Sequence, residues 1–379
     1  MVHVRRRVLA IVAAVAAALL PIQAQATPGA AGPGEQGARS FIVTLESDAD
    51  ASAAIRRHAV APTHRYQRVL NGFAAPLTAA QAAALRADPA VAMVELDGVA
   101  TIVATQVNPP SWGLDRIDQR NLPLNNQYTY NMTAANVHAY IIDTGIDAGH
   151  TEFEGRAAQV INTVGGPNRD CNGHGTHVAG TVGAESYGVA KDVRLYGVKV
   201  LNCSGSGSWS SVIAGMDWVA TNHTKPAVAN LSLGGGFNSS VNNALNNLAN
   251  RGVFVVSAAG NSNADACNAS PASASNSTTV MASSSSDARA SFSNFGSCAH
   301  LYAPGVAITS TTPRNGTATF NGTSMAAPHV TGVAAMYKAT FGDAGYSTIR
   351  TWLINNATAG VISGNPSGTP NRLLYTNGL

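Results

Sequence analysis

Charged side chains are scarce in this chain: Asp, Glu, Lys and Arg make up 11% of its 379 residues, where an average soluble domain has roughly 25%. With 45% of residues hydrophobic, disorder is excluded and there is apolar material for a sizeable core, in two or three domains by length. Net charge is +3, from 23 basic and 20 acidic residues. Basic runs are missing outside the extreme N-terminus, so the electrostatic footprint of a nucleic-acid binder is absent and no nucleic-acid partner is expected. Long apolar runs are missing as well. Val8 to Leu20 is too short to span a bilayer comfortably; Arg5, Arg6 and Arg7 precede it, and Pro21 and the small-residue pattern Ala24-Gln25-Ala26 follow. These are the parts of a secretory signal. The expectation is a signal peptide over 1–26, cleavage after Ala26, export, and no membrane association afterwards. An uncleaved anchor is the competing reading, disfavoured by the short run and by Pro21.

Cysteine is absent before Cys171; Cys171, Cys203, Cys267 and Cys298 follow. An even count in an exported chain reads as disulfides, and four cysteines allow three pairings. Zinc competes because Cys171 lies near His174 and His177, but C-x-x-C spacing is missing and an oxidising compartment favours bridges. The glutamate of an H-E-x-x-H metal motif is likewise missing around those histidines.

Along the chain, Thr27 to Ala38 is a Gly/Pro/Ala-rich linker. Ser40 to Leu45 and Ala92 to Leu96 read as strands and Thr78 to Arg86 as an Ala-rich helix capped by Thr78, a small α+β module marginal if left alone. From Trp112 the pattern changes. Val137 to Ile142, Arg194 to Leu201, Ala227 to Leu233 and Val253 to Ser257 are β-branched runs; Ser211 to Asn222 and Val241 to Arg251 are helical in period, the latter stopped by Gly252. Strands alternating with helices predict an α/β fold with a mainly parallel sheet, doubly wound with helices on both faces. Ligands of such sheets bind beyond the carboxyl ends of the strands.

Four residues there could carry chemistry, and each has a plainer reading. Asp143 ends a buried strand, where a carboxylate is costly unless hydrogen-bonded or paired; otherwise it forms a turn. His174 lies between glycines in NGHGTHVAG, before a small-residue helix, and could equally be a satisfied core or surface histidine. Ser324, in NGTSMAAPHV, stands at a helix N-terminus, where unpaired N–H groups favour developing negative charge; the alternative is a simple N-cap serine. Asn261, after the strand VFVVSAAGN, could donate its amide to an oxyanion or form an ordinary turn.

The set is more specific than its members. The order Asp, His, Ser is that of the subtilisin triad. IIDTGI, HGTHVAG, AAGN and GTSMAAPHV occur in that order, and on these motifs the chain resembles the subtilase family. WGLDRIDQR, DCNGHGTHVAGTV, GSGSWSSVIAGMDWV, VANLSLGGG, ASFSNFGSC and PNRLLY make it most similar to the proteinase K branch, especially its aqualysin-like bacterial members, over Ala104 to Leu379. The resemblance implies a subtilisin-like peptidase domain over 104–379. It also implies a propeptide over 27–103, whose ferredoxin-like α+β part, about 40–103, would act as intramolecular chaperone and inhibitor.

What the resemblance implies for activity is a secreted, autoprocessed serine endopeptidase using Asp143, His174 and Ser324 as triad and Asn261 as oxyanion donor, without a catalytic cofactor. Polypeptide substrates would lie against Gly205, Ser206 and Gly207 and against Ser232, Leu233, Gly234 and Gly235. Glycine-rich segments let a peptide backbone approach as an added strand, which implies broad specificity. No acidic cluster lies near them for a strict basic preference. Trp209 either lines a deeper subsite, favouring apolar or aromatic residues, or only packs its helix. The branch pattern pairs Cys171 with Cys203 and Cys267 with Cys298.

Structural calcium is implied by the branch, with one departure. His300 stands where the tight site of the proteinase K type has an aspartate, and imidazole is a poor ligand for a hard cation, so that site is expected to be lost or weakened. Asp115, Asp118 and Gln119, with oxygens from the Asn125 to Gln127 loop, match a second calcium site; otherwise they are surface polar residues. A binding module on the same fold would lack one of the four catalytic residues, and an α/β-hydrolase would need a G-x-S-x-G elbow that Ser324 does not have. A monomer is the simplest expectation.

Overall fold

A computed structural model describes residues 38–97 and 104–379; the signal peptide, the linker and the 103–104 junction fall wholly or partly outside them. The chain separates into two compact units near residue 100. The first is a four-stranded antiparallel sheet in the order His64–Tyr66, Gly72–Leu77, Arg39–Leu45, Val91–Leu96. Helices Ala51–Arg57 and Ala79–Arg86 accompany it. Thr78 caps the second helix in a full capping box with Gln81, as its position predicts. The core of this unit is Val43, Leu45, Phe73, Ala75, Leu77 and Leu85, with Ile55 from the short helix.

The second unit is built on a nine-stranded sheet. In spatial order the strands are Thr358–Ala359, Arg372–Leu373, Leu301–Pro304, Thr278–Ser283, Val253–Ala258, Ala227–Leu231, His138–Asp143, Arg194–Lys199 and Ala157–Asn162. All neighbours are parallel except the terminal pair. Successive side chains alternate between faces. Ala139 and Ile141 join a core with Val178, Val182, Val330 and Val333 from the helices His174–Gly183 and Thr323–Phe341. Tyr140 and Ile142 join the opposite core with Val212, Met216, Val241 and Leu245 from Trp209–Asn222 and Ser239–Asn250. This is the doubly wound, mainly parallel architecture expected.

Two boundaries are shorter than the apolar runs. The strand expected to reach Leu233 ends at Leu231, where Ser232 leaves the sheet, and the one expected to reach Leu201 ends at Lys199. Gly252 closes its helix as expected: its φ of +96° is left-handed, and its N–H donates to Ala249 O at 3.0 Å. From His138–Asp143 the chain winds first to one side of the sheet and then to the other, so Asp143 sits at the switch point, where parallel sheets open a crevice.

Candidate active site

Asp143 is fully buried at the end of its strand. Its Oδ1 accepts a bond from the N–H of Thr144 at 2.7 Å and lies 2.8 Å from His174 Nδ1. That contact fixes which ring nitrogen faces the carboxylate, leaving Nε2 without a partner among the described residues. Burial alone would lower the pKa of His174. The charge and hydrogen bond of Asp143, with the more remote charge of Asp170, outweigh it and leave the imidazole more basic than an ordinary histidine.

Asp170 holds this corner together, and nothing in the sequence reading assigned it a role. Its buried carboxylate accepts from Thr144 Oγ1, the amides of Asn172 and Gly173, and both N–H and Oγ1 of Thr176, at 2.6 to 2.9 Å. The histidine loop, the start of its helix and the residue after Asp143 therefore hang on one side chain. An aspartate just before the Asn172-Gly173 turn was the available signal, since Asp readily bonds backbone N–H groups a few residues on. Gly173 needs its glycine: φ is +109°.

Ser324 is the second residue of the Thr323–Phe341 helix, and Gly322, not the serine, is the cap. The simple N-cap reading is thereby removed. Pro328 lies four residues on inside the helix; lacking an N–H, it leaves the carbonyl of Ser324 without its helical donor. Ser232 fills the gap: its Oγ donates to Ser324 O at 2.8 Å, and Ser324 Oγ donates to Ser232 O at 3.0 Å. Asn230 supports the pair through Nδ2 to Ser232 Oγ, and Thr331 Oγ1 donates to Asn230 Oδ1. Asn261 uses its Oδ1 to accept from the N–H and Oγ1 of Thr323 at 2.9 and 2.8 Å. Its Nδ2 group has no acceptor among the described residues, and lies 3.5 Å from where a Cβ on Gly322 would stand.

Two cavities surround these groups. The larger, about 640 Å³, is lined by His174 and by the expected residues Gly205, Ser206, Gly207, Trp209, Ser232, Leu233, Gly234 and Gly235. Trp209 both packs and lines: a Cβ on Gly235 would meet its indole Cζ2 at 2.8 Å. The smaller, about 360 Å³, is bordered by Ser324, Asn261 and the Leu233–Gly236 wall. Ala258, Ala259, Gly260 and Asn294 also border it, and the sequence did not mark them as lining. Asn294 shapes it by donating to Ala259 O at 2.9 Å and accepting from the amides of Ser262 and Ala264 at 3.0 Å. Cys171 is bonded to Cys203 and Cys267 to Cys298, the first bridge tying the histidine loop to the edge of the larger cavity.

At the candidate cation site, Asp115 accepts from the amides of Asn125 and Asn126, and Asp118 Oδ2 from the amide of Thr129 at 2.6 Å. Asp118 Oδ1 is buried without a partner. Burial, with the nearby charge of Asp115, pushes Asp118 up to about 6 despite the Thr129 bond. Gln119 points its amide nitrogen at the carbonyls of Asn121 and Pro123. At the other expected position, His300 Nδ1 lies 3.1 Å from the amide of Thr279, as an acceptor, and burial and two arginines hold the ring down to about 4, hence neutral.

A hydroxyl at a helix N-terminus, an imidazole held by a buried carboxylate, and a cleft walled by glycine suit acyl transfer from an extended peptide, the chemistry of serine endopeptidases. The subtilase family model matches residues 136–374 and the peptidase inhibitor I9 model residues 40–102. The chain therefore belongs to the subtilase family, is a serine endopeptidase, and carries an I9 inhibitor propeptide at its N-terminus. It is 48% identical over 315 residues to the extracellular serine proteinase of Thermus sp. (strain Rt41A), a match covering 82% of this chain and 77% of that one. It is 44% identical over 353 residues to proteinase R of Parengyodontium album, covering 91% and 90%. Among solved structures, that of a cold adapted subtilisin-like serine proteinase matches with a TM-score of 0.69 at 50% identity, covering 70% of this chain and 97% of that one. Subtilases need no catalytic cofactor. Among the described residues, no helix is long and apolar enough to cross a membrane.

Proposed function

We propose that the chain is an exported zymogen of a broad-specificity endopeptidase, with residues 1–26 as signal peptide, 27–103 as propeptide and 104–379 as a monomeric peptidase. The observation that carries the reading is the His174–Asp143 contact, which leaves Nε2 free to act on Ser324. Turning Ser324 Oγ away from Ser232 O lets His174 take its proton as the oxygen attacks a peptide carbonyl. The imidazolium, stabilised by Asp143, then protonates the leaving amine, and water repeats the cycle on the acyl-enzyme. The amide of Asn261 and the N–H of Ser324 hold the oxyanion. The peptide backbone pairs between Gly205–Gly207 and Ser232–Gly235, and Trp209 favours apolar or aromatic side chains. Before cleavage the I9 unit serves as intramolecular chaperone and inhibitor.

Asn261→Asp tests the oxyanion role while keeping an acceptor for Thr323; it removes the donor and sets a negative charge beside the oxyanion, so the loss is at least that of the donor. Peptide kcat should fall by roughly 10²–10³-fold or more, the effect known for this donor in subtilisin, with little change in KM. Retention of full activity would remove Asn261 from the mechanism.

The Asp115–Asp118 corner offers calcium two neighbouring carboxylates, one with an orphaned buried oxygen, which is hard-oxygen donor chemistry. Asp115 and Asp118 would hold the ion, whose contribution is rigidity of the 115–129 segment. Gln119 has its amide nitrogen committed to carbonyls, so only its oxygen is available. Saturating calcium, at about 100 times its dissociation constant, should stabilise by about 2.7 kcal/mol. The melting temperature should drop when calcium is chelated, and Asp118→Asn should abolish the difference. A calcium response unchanged by that substitution would place the ion elsewhere.

A further inference from the structure

A third cavity, of about 360 Å³, opens on the far side of the histidine loop and is lined by Asp147, Arg169, Asp170, Asn172, Pro313 and Arg314. Asn172 also lines the larger cleft cavity, so the two share that residue. Across the floor, Pro313 Cδ lies 3.6 Å from where a Cβ on Gly173 would stand, bringing the Ile308–Thr312/Gly316–Phe320 hairpin against the loop that bears His174. The acyl half of a substrate is accounted for by the two cleft cavities. The amine half, leaving from beside His174, has no site among them, and this cavity is walled by Arg169, Asp170 and Asn172, just before that histidine in the chain.

The charges in this cavity are unevenly committed. The Asp170 oxygens are occupied by their internal hydrogen bonds, and Asp147 Oδ2 accepts the N–H of Arg314 at 2.7 Å, leaving Oδ1 open. Arg169 and Arg314 are exposed, and neither guanidinium makes a hydrogen bond or ion pair among the described residues. Such planar forks match a carboxylate in two-pronged fashion. We propose that this cavity is a leaving-side subsite for an acidic side chain, Asp or Glu, two to three residues downstream of the scissile bond. The assignment rests on the roles given above to Ser324 and His174.

Internally quenched peptides sharing one acyl half, with Asp, Ala or Lys at the second and third leaving-side positions, test it. The parent enzyme should cleave the Asp peptide about tenfold more efficiently, in kcat/KM, than the Lys peptide at low salt, the equivalent of about 1.4 kcal/mol. The ratio should shrink as salt screens the exposed charges. It should fall below about threefold in Arg169→Gln/Arg314→Gln and invert in Arg169→Glu/Arg314→Glu, each exposed pair being worth up to about 1 kcal/mol. A parent that does not distinguish Asp from Lys, or a double Gln variant that keeps the preference, overturns the subsite. An acyl p-nitroanilide, with no residues on the leaving side, reports the triad separately. Its unimpaired cleavage by an enzyme indifferent to Asp and Lys leaves the triad standing and removes only the subsite, whereas its survival in Ser324→Ala overturns both.

Discussion

Ser324→Ala should lose peptide-hydrolysing activity by about a millionfold, the magnitude known for the nucleophile of subtilisin, while remaining folded. The substitution removes one hydroxyl and its bond to Ser232 O. A single such bond is worth about 1 kcal/mol, or about 2–4 °C in melting temperature for a domain of this size. The carbonyl of Ser324 keeps its donor, because that bond comes from Ser232 Oγ. Gly322 remains the helix cap. The variant should also accumulate as uncut precursor, whereas the parent should yield a secreted form beginning at Ala104. Mass spectrometry and N-terminal sequencing of both would check this. A processed Ser324→Ala product in a host lacking other proteases, or residual hydrolysis above about one part in a thousand, would remove Ser324 from the nucleophile's role.

Asp143→Asn should cost about 10⁴-fold in kcat, since the amide would present an N–H to Nδ1 and favour the wrong tautomer of His174. It should also move the acid limb of the pH profile. General-base action requires neutral imidazole, so activity in the parent falls as pH drops through a histidine pKa held above its ordinary value by Asp143. In the variant that charge is gone while burial remains, and burial favours the neutral ring. The midpoint must therefore move to lower pH even as the plateau collapses. A plateau loss with an unmoved midpoint would mean that another group controls the acid limb.

The parts of this machinery that could be read in advance are those written in local runs. The β-branched stretches at Val137–Ile142, Ala227–Leu231 and Val253–Ser257 are buried on both faces of the sheet, and their composition reports that directly. The Gly72–Leu77 strand was missed because Gly, Ala and Pro carry little strand preference. Pairing with strands on both sides determines it instead. The seven-residue Ala51–Arg57 helix was too short for a periodic signal, although Asp50 caps it. The proposed triad residues and Asn261 were legible as motifs, and their arrangement was not. The local bonds of Asp170 follow from its place before the Asn172–Gly173 turn, but its reach to Thr144 and the bonds of Asn294 to the distant 259–264 segment could not be read, because those partners are chosen by the fold. Pro328 was a readable clue: a proline four residues after Ser324 predicts a free carbonyl there, and only the structure names Ser232 as its partner.

On the proposed function, a cleft walled by Gly205, Gly207, Gly234 and Gly235 reads mostly main chain, and main chain is what every protein has, this one included. Such an enzyme has little in its cleft with which to spare its own kind. Its protection is mechanical: a copy survives as long as its surface segments do not stretch out into strands. The 202–206 turn beside the cleft is clasped on both sides, by the Cys171–Cys203 bridge and by Asn202, whose side chain accepts the amides of Ser204 and Ser206. The lifetime of a concentrated preparation is then set by how often such clasps open, and tightening the loops lengthens it more surely than altering the subsites.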